Sequence, residues 1–210
     1  IDVIDVKRAY FQAMARRDVY VKLPDEDWEE GMCGKLVKSM YGTRDAAQNW
    51  EIAYVSFMES CGFQKGIASP CTFVHKEKNV RVVIHGDDFT ILGFEESLNR
   101  FRNKIKERFE VKVRGRLGPE RKDDKSIRIL NRIVEWSESG ITYEADQRHA
   151  EIIIKQMGLV KESRSLSTPG NKIGITAEDE EGWMTEVGGQ EATLYRALVA
   201  RGIYPSQDRS

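Results

Sequence analysis

Three short apolar runs separated by tight turns constrain the fold of this chain most strongly. The runs are Thr72–His75, Val80–Ile84 and Phe89–Leu92. The first two are separated by Glu77-Lys78-Asn79, and the third follows Gly86-Asp87-Asp88. Apolar runs of this length, bounded by Gly, Asn and Asp, are typical of strands joined by hairpin turns. The sequence therefore predicts an antiparallel meander whose second turn carries two adjacent carboxylates.

Two amphipathic helices are predicted on either side of this meander. The first is expected to begin with Thr43 as its cap and to end at Cys61, where Gly62 suits the residue after a helix. The second, Glu95–Phe109, repeats apolar residues along one stripe. Both helices can cover one face of the predicted sheet.

The remaining elements complete an α+β pattern with antiparallel pairing. Beyond Gly158 the chain is rich in Ser, Thr, Gly and acidic residues as far as Gln190, which predicts a linker or a loosely packed surface. The other predicted elements are the strands Ile1–Val6, Val19–Leu23, Met32–Val37, Ile127–Trp136 and Ile141–Tyr143 and the helices Lys7–Arg17 and Gln147–Met157.

Charge is balanced overall but unevenly distributed. The 210 residues include 33 Lys or Arg and 34 Asp or Glu, which argues against a uniformly basic nucleic-acid binder. Thirteen basic and five acidic residues lie between Arg100 and Arg132, whereas Ala177–Glu191 holds six acids and no base. This asymmetry fits either a patch that faces a polyanion or a solvated helix face followed by a flexible tail.

Composition also bounds the class of protein. The length allows one large domain or two small ones, and no apolar run approaches the roughly 18 residues of a membrane span, so we expect a soluble protein without membrane contact. Three unclustered cysteines predict a reducing compartment and no structural zinc. The chain begins at Ile1 in mid-pattern, and we expect it to be a piece of a longer protein.

Asp5, Asp87 and Asp88 are the candidate chemical groups. If the strand of Asp5 lies beside the hairpin, these carboxylates meet at one end of a sheet and repel one another unless a cation lies among them. Mg²⁺ suits such an all-oxygen site, and two such ions can stabilise an in-line phosphoryl displacement. Alternatively, Asp5 is a helix cap and Gly-Asp-Asp an ordinary turn.

Several motifs, in order along the chain, resemble the reverse transcriptases of Ty1/copia-type retrotransposons. An Asp followed five residues later by an aromatic resembles their first catalytic motif, and the segment ending at Trp50 resembles their Lys-Ser-Leu-Tyr-Gly-Leu-Lys-Gln-Ala-Pro-Arg-x-Trp signature. The matching segments are Asp5-Val6-Lys7-Arg8-Ala9-Tyr10, Lys38-Ser39-Met40-Tyr41-Gly42-Thr43-Arg44-Asp45-Ala46-Ala47-Gln48-Asn49-Trp50, His85-Gly86-Asp87-Asp88 at the family's Tyr-Val-Asp-Asp, Ser167-Thr168-Pro169 and Tyr195-Arg196-Ala197-Leu198-Val199.

The resemblance implies an α+β right-hand polymerase palm with an antiparallel sheet, packed helices, a partial thumb or connection, and fingers largely missing. Residues 1–126 would form the palm. Residues 127–170 would form the primer-grip hairpin and a thumb-like region. Residues 171–210 would be a linker or connection toward a missing ribonuclease H domain.

The resemblance also implies roles for individual residues. Asp5 and Asp87 would hold two Mg²⁺ ions, or Mn²⁺, with Asp88 as a weaker ligand. Tyr10 would lie under the sugar of the incoming nucleotide, and Gly42 would let the backbone approach nucleotide and template. At the family's primer-gripping Leu-Gly this chain has Leu130 and Asn131, which would contact primer and template.

The implied activity is RNA-directed DNA polymerase, acting on an RNA template, a DNA primer and dNTP. The integrase and ribonuclease H domains of a Pol polyprotein would be partners, in a cytoplasmic virus-like particle or in the nucleus. An alternative is an inactive nucleic-acid-binding remnant, because His85-Gly86 replaces Tyr-Val, Asp45 replaces Gln and Ala47 replaces Pro. Tyr10 argues against an RNA-dependent RNA polymerase, because its ring would clash with a ribose 2′-hydroxyl.

Overall fold

A computed structural model describes residues 1–144, 147–164 and 188–206, without the side chains of 204–206. The chain divides into two compact units. The first consists of Ile1–Ile127 and Glu135–Ile141, and the second of Arg128–Val134 and the chain from Thr142 onward. In chain order the first 116 residues form β1 Asp2–Val6, a 3₁₀ helix Ala9–Gln12, β2 Tyr20–Val21, β3 Gly34–Lys35, α1 Ala46–Ser60, β4 Gln64–Lys65, β5 Thr72–His75, β6 Val80–His85, β7 Asp88–Leu92, α2 Glu95–Arg108 and β8 Val111–Arg116.

The later elements contain three strands and two helices in the part of the chain that the structure describes. The strands lie side by side in the order β11-β10-β9. The elements are β9 Ser126–Ile129, β10 Arg132–Ser137, β11 Gly140–Glu144, α3 Arg148–Gln156 and α4 Gly189–Ser206.

A six-stranded antiparallel sheet organises the first unit, in the order β4-β5-β6-β7-β1-β8. Burial alternates along β6 and β7, as expected for strands with one face on a core. The buried face packs against α1 and α2, and the strands β2 and β3 form a separate ribbon. The largest members of this core are Ile4, Trp50, Phe57, Met58, Phe89, Ile91, Phe101 and Ile105.

The structure confirms the predicted meander and both flanking helices. It also confirms α+β elements with antiparallel pairing, while the assignment to a polymerase palm stays a prediction. The expected cap at Thr43 is wrong. Helix α1 begins at Ala46, and Thr43 Oγ1 donates a hydrogen bond to Met40 O at 2.8 Å instead. Gly62 follows the end of α1 with φ +87°, as its position predicted.

The predicted helix Lys7–Arg17 is wrong except for one 3₁₀ turn, Ala9–Gln12. Arg8 lies in the left-handed region at φ 51°, and the chain returns to extended geometry at Ala13. There the backbone bonds a distant segment, because Ser39 N donates to Ala13 O at 2.9 Å and Ala15 N to Val37 O at 3.0 Å. These tertiary hydrogen bonds replace those that a helix would need.

The predicted single strand Ile127–Trp136 is also wrong, because a two-residue turn divides it into β9 and β10. Leu130 and Asn131 both have positive φ, 48° and 65°. Positive φ at both central residues is typical of the tight turns that join twisted hairpin strands. Asn tolerates this conformation well, so it can stand at the position where the family has Gly.

In the second unit, α3 packs beside α4. Helix α4 lies within the region expected to be a linker or connection, and the acidic stretch 178–181 lies outside the described residues. The division into palm, thumb-like region and connection stays a prediction. Cys33, Cys61 and Cys71 are free thiols, and no helix among the described residues is long and apolar enough to cross a membrane.

Candidate active site

Asp5 and Asp88 lie directly opposite each other on the neighbouring strands β1 and β7. Their strand neighbours Ile4, Val6 and Phe89 belong to the core that the helices cover. Because successive side chains of a strand point to opposite faces, both carboxylates lie on the sheet face away from α1 and α2. The pairing of strands 83 residues apart in sequence therefore brings together two of the three predicted catalytic residues.

Asp87 lies on the turn beside them. The expectation that Asp87 and Asp88 share the hairpin tip is wrong in one respect, because Asp88 already belongs to β7 and pairs with His85 of β6. The turn itself is Gly86-Asp87, with φ +63° at Gly86. Val6 N donates a hydrogen bond to Asp87 O at 2.8 Å, which ties the turn to the end of β1.

Trp50 holds the same turn from the other side. Its indole Nε1 donates a hydrogen bond to Gly86 O at 2.8 Å, and the ring is buried against Tyr54 and Phe109. Trp50 lies on the buried face of α1 and belongs to the core. The structure gives it a second task, which is to position the turn that carries Asp87.

Arg114 of β8 contacts both opposed carboxylates. Its Nη2 donates a hydrogen bond to Asp5 Oδ2 at 2.6 Å and lies 3.2 Å from Asp88 Oδ1. The second contact is an ion pair without hydrogen-bond geometry, so the buried Asp88 Oδ1 accepts no hydrogen bond. Sequence reasoning missed Arg114 as a site residue, although the glycine that follows it inside a strand is a signal of irregular pairing.

The electrostatics of the site follow from these contacts. Burial, more than any other cause, raises the pKa of Asp88; Asp87 and Asp5 raise it further, and Arg114 opposes them. The hydrogen bond to Asp5 raises the pKa of Arg114, so its guanidinium stays charged. The site is therefore a set of carboxylates that one fixed cation partly neutralises.

The donor chemistry of these carboxylates suits a hard divalent cation such as Mg²⁺ or Mn²⁺. Asp88 Oδ1, which is buried without a hydrogen bond, is a donor atom of the kind that such an ion coordinates. Within the described residues, however, no three His, Cys, Asp or Glu side chains are gathered closely enough to hold a metal ion together. The arrangement is an opposed pair, Asp5 and Asp88, with Asp87 on the adjoining turn.

The two predicted nucleotide-binding residues are brought together through Tyr41. The rings of Tyr10 and Tyr41 lie 4.4 Å apart, centroid to centroid, at an interplanar angle of 35°. Gly42 has φ +87°, and a Cβ added to it would have no atom of the chain within 4 Å. Backbone conformation therefore requires glycine here, and the space around it is open.

Leu130 and Asn131 form their turn in the second compact unit, whereas the carboxylates belong to the first. Both residues are exposed. Arg132 Nη1 donates a hydrogen bond to Leu130 O at 3.1 Å across this turn. Their role toward primer and template stays a prediction.

The basic residues between Arg100 and Arg132 do not all lie beside the carboxylates of Asp5 and Asp88. Helix α2 packs its apolar stripe on the opposite face of the sheet. Arg102 and Arg116 are engaged with Asp2, which is buried; Arg116 Nη2 lies 2.9 Å from Asp2 Oδ2, and so does Arg102 Nη2. Among the described cations of this segment, Arg114 is the one recorded in contact with Asp5 and Asp88.

Comparison with known proteins identifies the family of this chain. A sequence model of the family described as "Reverse transcriptase (RNA-dependent DNA polymerase)" matches residues 1–121. The chain is 25% identical over 202 residues to the retrovirus-related Pol polyprotein from transposon TNT 1-94 of Nicotiana tabacum, covering 89% of this chain and 14% of that protein.

Other relatives match about half of the chain. The Pol polyprotein from transposon RE1 of Arabidopsis thaliana is 28% identical over 116 residues, covering 52% of this chain and 8% of that protein. The transposon Ty1-GR1 Gag-Pol polyprotein of Saccharomyces cerevisiae is 26% identical over 117 residues, covering 54% and 6%. The chain thus spans a small part of each of these relatives, and it belongs to the reverse transcriptase family of Ty1/copia-type transposon Pol polyproteins.

Proposed function

We propose that this chain is the palm of an RNA-directed DNA polymerase, with part of the thumb or connection, and that it contributes the metal-binding carboxylates of nucleotidyl transfer. The observation that carries the proposal is the direct opposition of Asp5 and Asp88 across β1 and β7, with Asp87 on the adjoining turn. In this reaction the primer 3′-hydroxyl attacks the α-phosphate of a dNTP and pyrophosphate leaves.

In the proposed site, Asp5 and Asp87 are the principal ligands of two Mg²⁺ or Mn²⁺ ions, and Asp88 is a weaker one. Bound there, the metals stabilise negative charge on the attacking and leaving oxygens. The chain's own contribution is geometric. Pairing with β7 fixes Asp5, and hydrogen bonds from Val6 and Trp50 fix the backbone around Asp87.

Substrate positioning follows from the family. Tyr10 would lie under the nucleotide sugar and select deoxynucleotides, while the open space beside Gly42 admits nucleotide and template. Leu130 and Asn131 would contact an RNA template and a DNA primer. Integrase and ribonuclease H domains of the parent polyprotein would be its partners, in a cytoplasmic virus-like particle or in the nucleus.

Metal binding by the purified chain tests the proposal. Calorimetric titration with Mg²⁺ and then Mn²⁺ should give a binding isotherm for the wild type and a strongly weakened one for Asp5→Asn and Asp87→Asn. Asp25→Asn is the matched control, because Asp25 is exposed and pairs only with Lys22 among the recorded contacts. Equal isotherms for all four proteins would refute a metal site at these carboxylates.

A second assay tests which class of nucleotide the enzyme incorporates. The parent reverse transcriptase region, which includes the segments of Pol around this chain, should extend a DNA primer on an RNA template with dNTP. Tyr10→Val should raise the incorporation of NTP relative to dNTP. A wild-type enzyme that prefers NTP would contradict the role of Tyr10.

A second candidate is a catalytically inactive nucleic-acid-binding remnant of a retroelement. It is favoured by the contact of Arg114 with Asp5 and Asp88, and by the separation of the three carboxylates into a pair and a neighbour among the described residues. This candidate predicts binding of a primer–template duplex without metal-dependent extension of the primer.

A further inference from the structure

A β-bulge interrupts the ladder between β1 and β8 at Arg114. Val3 pairs with Gly115 and Ile4 pairs with Val113, so Arg114 is an extra residue without a partner on β1. Val113 pairs with the core residue Ile4 and Lys112 pairs with Asp5, so alternation along β8 assigns Arg114 to the same sheet face as Asp5. Bulges are common beside functional sites.

From this face the guanidinium of Arg114 reaches the two opposed carboxylates. Nη2 of Arg114 is 2.6 Å from Asp5 Oδ2 and 3.2 Å from Asp88 Oδ1. The side chain of Arg114 is 42% exposed, so it has room to move into solvent. The carboxylate side chains are about half as exposed, 21% and 20%.

We infer that Arg114 is a positioning residue that competes with divalent cations for the oxygens of Asp5 and Asp88 and so lowers the metal affinity of the site. The inference rests on the proposed function, because it concerns the same carboxylates. A metal that binds Asp5 Oδ2 must break a charge-assisted hydrogen bond, and it must approach a fixed positive charge. Metal binding therefore displaces the guanidinium from the carboxylates.

Lys112 provides a matched comparison. It pairs directly with Asp5 in the β1–β8 register, it is exposed, and it carries the same charge, but no contact of its side chain with Asp5 or Asp88 is recorded. If positive charge near the site were enough, removal of Lys112 would have the same effect as removal of Arg114. If the direct contact matters, only Arg114 should have a large effect.

The test measures Mn²⁺ binding by calorimetry for wild type, Arg114→Gln, Arg114→Lys and Lys112→Gln at low salt. We expect Arg114→Gln to bind Mn²⁺ about tenfold more tightly. Arg114→Lys should remain within about threefold of wild type, because the charge is kept. Lys112→Gln should also change the affinity less than about threefold, because the Lys112 side chain is exposed and its hydrated charge interacts weakly.

Thermal unfolding gives a second measurement that separates competition from a structural role. Without metal, Arg114→Gln should melt below wild type, because two opposed carboxylates lose their shared cation. With the same saturating concentration of Mn²⁺ its melting temperature should rise more than that of wild type, since stabilisation by a ligand grows with the logarithm of its concentration divided by Kd. If Arg114 had only a structural role, Arg114→Gln would have a lower melting temperature without metal but would not show the larger rise with Mn²⁺.

The outcomes are distinct. Tighter binding by Arg114→Gln alone, with the larger Mn²⁺ shift, supports the inference. The inference is overturned if Arg114→Gln binds Mn²⁺ no more tightly than wild type, or if Arg114→Gln and Lys112→Gln gain the same Mn²⁺ affinity. In either case, Mn²⁺ binding by wild type would leave the proposed function standing. If neither wild type nor Arg114→Gln binds Mn²⁺, the proposed function fails and the inference fails with it.

Discussion

Trp50 Nε1 donates a hydrogen bond to the carbonyl oxygen of Gly86 at 2.8 Å, joining α1 to the turn that carries Asp87. The indole is 2% exposed, so this donor has no access to water and the bond satisfies a buried polar group. A residue of the core thereby fixes the backbone next to a proposed metal ligand. Packing and site geometry are linked at this residue.

Trp50→Phe should keep an aromatic ring in the core but remove the donor to Gly86. We expect a loss of about 1–3 kcal/mol in the free energy of unfolding, from the lost hydrogen bond and the smaller ring. We also expect weaker Mn²⁺ binding, because the turn of Asp87 is less fixed. Urea denaturation and calorimetry measure the two effects. Tyr54→Phe, a change on the same helix away from the turn, should leave Mn²⁺ affinity unchanged; an equal loss there would deny Trp50 a positioning role.

Gly86→Val restores the residue type that the family has before its Asp pair. Gly86 has φ +63°, and a Cβ there meets no atom of the chain within 4 Å, so the cost comes from backbone conformation alone. We expect about 1–3 kcal/mol of destabilisation by urea denaturation, because a β-branched residue rarely adopts this region. Gly202→Ala in α4 is a control of opposite sign and should raise helix stability. A Gly86→Val protein as stable as wild type would contradict the strain argument.

Asp2 and Asp5 lie on the same strand, and substitution to Asn should separate a structural carboxylate from a site carboxylate. Asp2 is 1% exposed and accepts hydrogen bonds from Arg116 at 2.5 and 2.9 Å. Asp2→Asn should reduce the free energy of unfolding by about 3–5 kcal/mol, because it leaves two partly buried arginines without their buried counter-charge. Asp5→Asn should remain within about 1 kcal/mol of wild type, since its pair with Arg114 is partly exposed. Chemical denaturation measures the free energy of unfolding of both variants. Similar losses would contradict the distinction between a structural carboxylate at Asp2 and a site carboxylate at Asp5.

Arg17→Gln should reveal a pH-dependent contribution to stability. The hydrogen bond from Arg17 Nε to Asp45 Oδ1, 2.9 Å long, is the main cause that lowers the pKa of Asp45, and Asn49 contributes a second bond. A carboxyl whose folded pKa is lowered stabilises the protein above its unfolded pKa, and this stabilisation is lost as pH falls through the folded pKa. Wild type should therefore unfold at higher urea than Arg17→Gln at pH 7.

The two proteins should converge as the pH falls through the lowered pKa of Asp45 in the folded protein, where its carboxyl becomes protonated and the ion pair is lost. Lys22→Gln is the control, because its pair with Asp25 is highly exposed on both sides and should give little difference at either pH. A gap between wild type and Arg17→Gln that is independent of pH would show that packing, not charge, is responsible. The same pair neutralises Asp45, the acid that replaces a family Gln in the second motif.

Local patterns were sufficient to predict those strands and helices in which the spacing of apolar residues along the sequence matches their burial in the structure. The runs around Phe73, Val82 and Phe89 alternate, and the stripe of Leu98, Phe101 and Ile105 repeats every three to four residues; each became the expected strand or helix. Asp5 and Asp88 were predicted to meet because both lie at strand ends. Such features depend on a few neighbouring residues.

Features set by distant partners were not accessible to the same reasoning. The segment after Arg8 has apolar residues at helical spacing, but its backbone forms hydrogen bonds with residues 37–39 instead. The turn at Leu130 requires positive φ at a leucine, which local propensity does not favour. Arg114 lies beside Asp5 because β8 pairs with β1, and local sequence patterns do not specify a pairing between residues 109 apart.

The placement of β1 has a consequence for synthesis of the chain. β1 precedes both of its neighbours, β7 and β8, along the chain, and the bond from Arg114 to Asp5 spans 109 residues. At typical elongation rates about 5–20 s pass between translation of β1 and of β8. Until β7 and then β8 are made, the strand that carries Asp5 has open edges, which are templates for pairing with other chains. A nascent chain that stalls before residue 111 therefore presents β1 with one unpaired edge, which exposes it to aggregation.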